Sequence, residues 1–141
     1  MSEENKAVAR RIVEEVWNKK NLDAIDELIA ADYVDHTLPP GVPPGRDGAK
    51  AFIGMYVNAF PDVKITIEDM IAKGDKVVTR WSATGTHTGE LMGIPATGKQ
   101  ITVTGLDITR FSGGKSVEFW GQFDQMGMMQ QLGVIPAPGE S

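Results

Sequence analysis

Residues 61–87, PDVKITIEDMIAKGDKVVTRWSATGTH, change the chain from a helical to an extended pattern. Before Pro61 apolar residues recur every three or four positions, whereas residues 63–67 alternate apolar and polar side chains. Alternation with a period of two is typical of a strand with one buried face, and Gly74-Asp75 can form a turn. This region therefore predicts two antiparallel strands, the second of which extends to about His87.

Two further strands and a short helix are predicted on the carboxyl-terminal side. The third strand covers about residues 100–111, and after the turn at Ser112-Gly113-Gly114 the fourth covers about 115–124. Residues 125–132 predict a Met-rich helix, which is followed by a Pro-containing tail over 134–141.

Helices precede the strands. Apolar residues at helical spacing predict a helix ending near Lys20, a second short helix over about 21–29 and a third over about 47–60, with a short extended piece at 32–36. Helices followed by consecutive antiparallel strands indicate an α+β fold, in which three N-terminal helices cover one face of a curved sheet and enclose a cone-shaped cavity. The length suits one domain over 1–141, with a core at about 5–133 and a tail at 134–141.

Composition excludes several functional classes. The chain has 141 residues, no Cys and a net charge of −5, so disulfide frameworks, thiol nucleophiles and nucleic-acid binding are not expected. No apolar stretch is long enough for a membrane helix, and the acidic start lacks the features of a secretory signal, which favours a cytoplasmic protein. Nucleotide-binding and serine-hydrolase motifs are absent from the sequence.

Asp124 is the acid that the strand pattern singles out. Trp120 and Gln122 share its parity in the fourth predicted strand, so its carboxylate is expected to point the same way as the Trp120 indole. A carboxyl group beside aromatic rings in a poorly hydrated cavity has a raised pKa and can move protons near neutral pH. The alternative is that Asp124 caps the following helix. A water-activating hydrolase would need a second carboxylate, for which Asp107 and Glu118 are candidates.

His36 and His87 are the only imidazoles, and each lies next to a turn at the end of an extended piece. They could donate hydrogen bonds to a substrate carbonyl or hold a catalytic carboxylate, or they could instead hold loops in place. A metal site is disfavoured, because the two residues are not at helical i, i+4 spacing and no nearby acids complete a set of ligands.

Aromatic residues of several elements are expected on inward faces. A domain of this size rarely buries three Trp and two Tyr with every polar tip satisfied, so some of them should line a pocket for a small hydrophobic molecule. The predicted binding residues, with Met92 as a soft lid, are Trp17, Tyr33, Phe52, Tyr56, Trp81, Met92, Trp120 and Gln122.

The fourth strand carries apolar residues on both faces, with Val117, Phe119 and Phe123 opposite Trp120. A strand covered on one side only would show polar residues on the other, so the outer face of the sheet is expected to meet a second subunit. The alternative is a bulge that swaps the parity within the strand and places both sets in one core.

Short motifs in a fixed order resemble the SnoaL-like polyketide cyclases (also called ester cyclases), a family shaped like nuclear transport factor 2. The resemblance covers about residues 5–133. The motifs are Asp32-Tyr33-Val34-Asp35-His36, Phe60-Pro61-Asp62, Gly74-Asp75-Lys76-Val77, Gly85-Thr86-His87-Thr88-Gly89, Gly93-Ile94-Pro95-Ala96-Thr97-Gly98-Lys99, Gly114-Lys115, Glu118-Phe119-Trp120, Asp124 and Gln131-Leu132-Gly133.

The resemblance implies an α+β barrel with a deep pocket, a homodimer, and neither a metal nor an organic cofactor. In the family the Asp of a Trp-x-x-x-Asp motif, here Trp120 and Asp124, is the general acid/base of an intramolecular aldol ring closure. His36 and His87 would then donate hydrogen bonds in the pocket, whereas Phe119 stands where many relatives have His. An isomerase, a hydrolase and a non-catalytic binding module remain alternatives, because this architecture hosts all of them.

Overall fold

The computed structural model describes residues 2–38 and 41–135. Within these ranges the helices follow the predicted order, whereas Pro39, Pro40 and the tail residues 136–141 lie outside the described residues. The helical elements are α1 (Ser2–Arg11), which continues as a π-helix (Ile12–Asn18), a 3₁₀ turn (Leu22–Ala24), α2 (Ile25–Leu28), α3 (Gly45–Ala59) and α4 (Gln125–Leu132).

The strands form one five-stranded sheet in the order β1-β5-β4-β3-β2. Four of them form the predicted antiparallel succession, and the predicted extended piece is part of a fifth strand, β1, which pairs parallel with β5. The bounds are β1 Ile29–Asp35, β2 Lys64–Lys73, β3 Lys76–Thr86, β4 Gln100–Ser112 and β5 Lys115–Phe123. The α+β prediction is confirmed.

The end of the first helix is tied to the edge of the sheet. The Lys19 amide donates to the Glu14 carbonyl over 3.0 Å, a five-residue step that widens the last turns into the π-helix. The Asn18 side chain then pairs with the backbone of Ile65 on the edge strand β2, donating over 2.9 Å and accepting over 2.7 Å. This contact holds the N-terminal helix against the inner face of the sheet.

A β-bulge in β5 reverses the predicted parity of that strand. Arg110 pairs with Glu118 but the next residue, Phe111, pairs with Ser116, so Val117 is the extra residue. Beyond the bulge the inward side chains are those of the Phe119 parity, and Trp120 faces outward. The prediction that Trp120 points into the core is therefore wrong. The alternative interpretation, in which a bulge changes the parity within the strand, is correct on that point. However, Phe119 and Trp120 lie on opposite faces of the sheet and do not share one core.

None of the helices in the described ranges could serve as a membrane span.

Candidate functional site

A cavity of about 750 Å³ lies between the inner face of the sheet and the helices that cover it. Its wall is largely aromatic and aliphatic, with polar groups at a few positions. All of the predicted binding residues except Trp120 line it, namely Trp17, Tyr33, Phe52, Tyr56, Trp81, Met92 and Gln122. Gln122 reaches the lining although it shares the parity of Trp120 in β5, and the role of these residues in substrate binding stays a prediction.

Asp107 contributes a carboxyl group to the sheet wall of the cavity. It lies in the middle of β4, where it pairs with Thr79 on β3 and with Gly121 on β5. Burial raises the pKa of Asp107 from the ordinary 3.8 to about 7; the Trp81 side chain opposes this through a hydrogen bond, and the negative charge of Asp35 raises the pKa further. At neutral pH this carboxyl group is therefore present in both protonation states, as a general acid/base requires.

A second acid, Asp35 at the end of β1, lines the same cavity but is already engaged. Its Oδ1 accepts from the backbone N–H of Thr37 over 2.8 Å and from the Thr37 hydroxyl over 2.7 Å. The Tyr33 hydroxyl donates to its Oδ2 over 3.3 Å, and burial raises the pKa of Tyr33, so the phenol keeps its proton. Asp35 acts on Asp107 chiefly through its charge.

Tyr56 faces the sheet from α3 on the opposite side of the cavity. Burial raises the pKa of its hydroxyl to about 12, so the phenol remains a hydrogen-bond donor at neutral pH. Its ring packs against Phe52 and, edge-on, against Phe123, with centroid distances of 5.1 and 6.1 Å. The cavity thus offers a proton donor from the helix side and a titrating carboxyl group from the sheet side.

Asp124 lies outside the cavity lining, contrary to the expectation that it faces the pocket. It follows β5, is exposed, and acts as the N-cap of α4, accepting from the Gly127 amide over 2.9 Å at Oδ1. The physical reason is the bulge at Val117, which turns the parity shared by Trp120 and Asp124 away from the inner face. The alternative interpretation as a helix cap is the one that the structure supports.

His36 lies at the rim of the cavity and is held by neighbours on the outer side of β5. Its Nε2 is 2.7 Å from Oε2 of Glu118, and its ring stacks on the Trp120 indole with centroids 4.9 Å apart. The hydrogen bonds from His36 and Arg110 lower the pKa of Glu118. Glu118, a candidate second acid, is therefore engaged in this network and is not part of the cavity wall.

His87 is fully buried but does not line the cavity. Its Nδ1 accepts from the Thr97 amide over 3.2 Å and lies 3.0 Å from the Thr97 hydroxyl, so the ring holds the loop before β4. Its Nε2 has no hydrogen-bond partner among the described residues. The expectation that His87 donates to a substrate in the pocket is not met, and the structural alternative fits the observed contacts.

The cavity lining carries acidic but no basic side chains among the described residues, apart from the imidazole of His36. In residues 2–38 and 41–135, no three His, Asp or Glu side chains converge as metal ligands would. The polar groups of the described lining side chains are therefore carboxyls, hydroxyls, amides, the indoles of Trp17 and Trp81 and the imidazole of His36.

Sequence reasoning named Asp107 only as a second acid, although a signal for its position was present. Residues 101, 103, 105, 107, 109 and 111 share one parity, and Ile101, Val103 and Phe111 of this set are buried. A carboxylate on the apolar face of a long strand is unusual, because burying its charge is costly. That anomaly would have identified Asp107.

Comparisons with known proteins agree on one family. The family model of the SnoaL-like polyketide cyclases matches residues 7–132. No curated protein is significantly similar to the chain in sequence.

Solved structures extend the similarity over nearly the whole chain. TsrD from Streptomyces laurentii is 25% identical, with a TM-score of 0.87 over 96% of this chain and 98% of that one. IdmH from Streptomyces antibioticus, provisionally assigned as a polyketide cyclase, is 36% identical, with a TM-score of 0.79 over 92% and 98%. A provisionally assigned polyketide cyclase from Bacillus cereus is 32% identical, with a TM-score of 0.81 over 94% and 82%.

Proposed function

Because this chain belongs to the SnoaL-like polyketide cyclase family, we propose that it closes a ring in a small hydrophobic carbonyl compound by an intramolecular aldol reaction. Asp107 is the general acid/base in this proposal. The observation that carries it is a mostly buried carboxyl group on the wall of an aromatic cavity, with a pKa raised to about 7.

The proposed reaction needs one group that takes and returns a proton. The Asp107 carboxylate removes a proton from a carbon flanked by two carbonyl groups, which leaves a delocalised enolate. The enolate carbon attacks a third carbonyl carbon of the same molecule, so one carbon–carbon bond forms and the oxygen of that carbonyl becomes an alkoxide. That alkoxide takes the proton back from Asp107, and no oxidant or reductant is consumed. The protonated Tyr56 hydroxyl can stabilise the enolate oxygen by a hydrogen bond.

The substrate is an uncharged molecule, as the family's preference for small hydrophobic substrates also suggests. Asp35 and Asp107 supply negative charge to the cavity wall, and no Lys or Arg among the described lining residues balances it. A carboxylate or phosphate placed there would lose its hydration without gaining a counter-charge, which is unfavourable.

Proton exchange on a model compound tests the proposal without knowledge of the natural substrate. In D₂O the enzyme should accelerate hydrogen–deuterium exchange at the carbon between the two carbonyls of ethyl benzoylacetate, observed by NMR. Asp107→Asn should lower the enzyme-catalysed rate by about 10²–10⁴-fold. Asp124→Asn is the matched control, because it keeps a capping side chain and is expected to retain the rate. A loss of rate in Asp124→Asn with an unchanged rate in Asp107→Asn would transfer the role to Asp124.

A binding module without turnover is the second candidate, since Asp35 is already engaged by Tyr33 and Thr37 and only one carboxyl group is left to act. An isomerase or hydrolase on the same cavity would use Asp107 in the same way. Recovery of ethyl benzoylacetate with no enzyme-dependent exchange, together with saturable binding, would favour the binding module.

We further infer that a second copy of the chain covers the outer face of the sheet. Ile71, Val78, Ile108 and Trp120 are successive cross-strand neighbours on four adjacent strands and form one apolar row, the outer row. Ile71 is 59% and Ile108 37% exposed. A contiguous apolar surface of this kind is typical of an interface.

The expected cytoplasmic location stays a prediction.

A further inference from the structure

The Trp81 indole lies directly on the backbone of the neighbouring strand. Trp81 on β3 and Gly105 on β4 are cross-strand partners, and a β-carbon at position 105 would overlap Cε2 and Cζ2 of the indole. Gly105 is therefore needed for the ring to take this position, because any other residue would displace it. Phe123, the partner of Gly105 on β5, lies near the indole, with ring centroids 6.5 Å apart.

This position of the ring over Gly105 brings the indole N–H, the only hydrogen-bond donor of the Trp81 side chain, close to Asp107. Cε2, one of the atoms over Gly105, is bonded to the indole nitrogen, so the N–H edge of the ring faces β4. Asp107 is two residues further along β4 and therefore projects from the same face of the sheet. From this position the indole N–H lowers the pKa of Asp107, as a hydrogen-bond donor to its carboxylate would.

We propose that Trp81 is a positioning residue for Asp107: its indole, seated on Gly105, donates the hydrogen bond that orients the Asp107 carboxylate and stabilises its charged form. The inference rests on the proposed role of Asp107 in proton transfer, but it can be measured without turnover. Burial of Asp107 favours the neutral acid, and this hydrogen bond opposes the effect of burial, which keeps a usable fraction of carboxylate at neutral pH.

The other titratable groups that face Asp107 do not stabilise its carboxylate. On β1, Asp35 raises the pKa of Asp107 through its negative charge, and the Tyr33 phenol is itself influenced by Asp107. Tyr56 on α3 and His36 at the rim line the same cavity. Of the side chains with an effect on Asp107, only that of Trp81 favours the carboxylate. Removal of the indole N–H should therefore raise the pKa of Asp107.

NMR titration of the Asp107 side-chain carboxyl carbon is the decisive measurement. Trp81→Phe keeps a ring but removes the N–H, and Gly105→Ala keeps the N–H but removes its seat. In both variants the proton affinity of Asp107 should rise about tenfold, which moves the midpoint up by about one pH unit. Trp120→Phe is the matched control, because Trp120 lies outside the cavity lining and its replacement should leave the midpoint unchanged. An unchanged midpoint in Trp81→Phe overturns the inference.

The wild-type protein gives an independent readout, which decides the matter even if Trp81→Phe or Gly105→Ala fails to fold. One of the three indole N–H signals should shift with pH at the same midpoint as the Asp107 carboxyl carbon, near pH 7. In Asp107→Asn that shift should disappear. If no indole signal follows the titration of Asp107, the inference is wrong.

Kinetics separate this inference from the proposed function. If Asp107 is the acid/base, Trp81→Phe should move the ascending limb of the pH–rate profile to higher pH, by the same number of pH units as the NMR midpoint. If Asp107→Asn keeps the full exchange rate, the proposed function fails, whereas the NMR midpoints still decide whether Trp81 orients the carboxylate.

Discussion

Asp107 and Asp124 are two aspartates with opposite surroundings. Asp107 lies within β4 among cavity-lining rings, where few water molecules can solvate a charge, and its pKa is raised to about 7. Asp124 lies at the start of α4 in solvent, where its carboxylate accepts from the Gly127 amide. The first environment favours proton exchange near neutral pH and the second favours a permanent hydrogen bond, so solvation separates the two roles.

Asp107→Asn should stabilise the protein at alkaline pH. The pKa of Asp107 is higher in the folded than in the unfolded state, so its contribution to stability is fully present below about pH 3.8 and is lost as the pH rises through 7. The free energy of unfolding of the variant, taken relative to that of wild type, should therefore be larger by about 2–3 kcal/mol at pH 8 than at pH 5, so the variant is the relatively more stable protein at pH 8. Urea denaturation at both pH values measures this difference.

Asp124→Asn is the control for that measurement, because Asp124 is exposed and keeps a capping side chain. Its difference from wild type should be the same at both pH values. A pH-independent difference for Asp107→Asn as well would mean that the Asp107 carboxyl is well hydrated in the folded protein.

The cavity wall could be predicted from the sequence at the level of residue types, but the acid could not. Aromatic residues at helical or strand spacing, such as Trp17 and Tyr56, face the interior because burial of large apolar surfaces drives folding. The identity of the buried acid depends on local register. The parity of β4 indicates Asp107, whereas the parity of β5 indicated Asp124 only as long as no residue interrupted the alternation.

At the scale of elements, the bulge in β5 decides which side chains reach the cavity. One extra residue, Val117, turns Phe119 and Phe123 inward and Trp120 outward. The strand itself was predictable from its alternation and flanking turns, but the bulge was not. The sequence Ser116-Val117-Glu118 contains no Gly or Pro that would indicate it, and its position follows from pairing with β4 and β1.

The loop over residues 88–99 depends on His87. Replacing His87 with Leu removes the acceptor of the Thr97 amide and leaves a partly buried donor unsatisfied, at a cost of about 1–3 kcal/mol. We expect faster deuterium uptake in residues 88–99, measured by mass spectrometry, with no change in the β2–β3 hairpin. Thr97→Val, which keeps the amide and removes only the hydroxyl, should have a smaller effect. Equal uptake in His87→Leu and wild type would contradict the structural role of His87.

At the scale of the molecule, the charge of the cavity selects neutral ligands. We expect 2-acetylnaphthalene to bind at least about tenfold more tightly than 2-naphthoate of similar shape, because the carboxylate would face Asp35 and Asp107 without a cationic partner. Quenching of Trp fluorescence at pH 8 measures both affinities. In Asp107→Asn the preference should shrink, and equal binding of the two compounds to wild type would exclude this electrostatic selection.

The outer row predicts self-association of the whole molecule. Ile108→Glu places a charge in the middle of the row and should convert a dimer to a monomer, measured by light scattering after gel filtration. Ala51→Glu adds the same charge to an exposed position on α3 and should leave the association unchanged. A monomeric wild-type protein would show that the outer row is not a dimer interface.

The parallel pairing of β1 with β5 has a consequence for synthesis on the ribosome. Val34 on β1 pairs with Glu118 on β5, so β1 cannot pair with β5 until nearly all of the chain has emerged from the ribosome. Contacts between such distant segments form slowly, because a long loop must close first. The apolar side chains of the nascent amino-terminal segment therefore stay exposed to solvent during translation, and the cavity forms only when synthesis is nearly complete. Chaperone protection during translation would matter more for this segment than for the later hairpins.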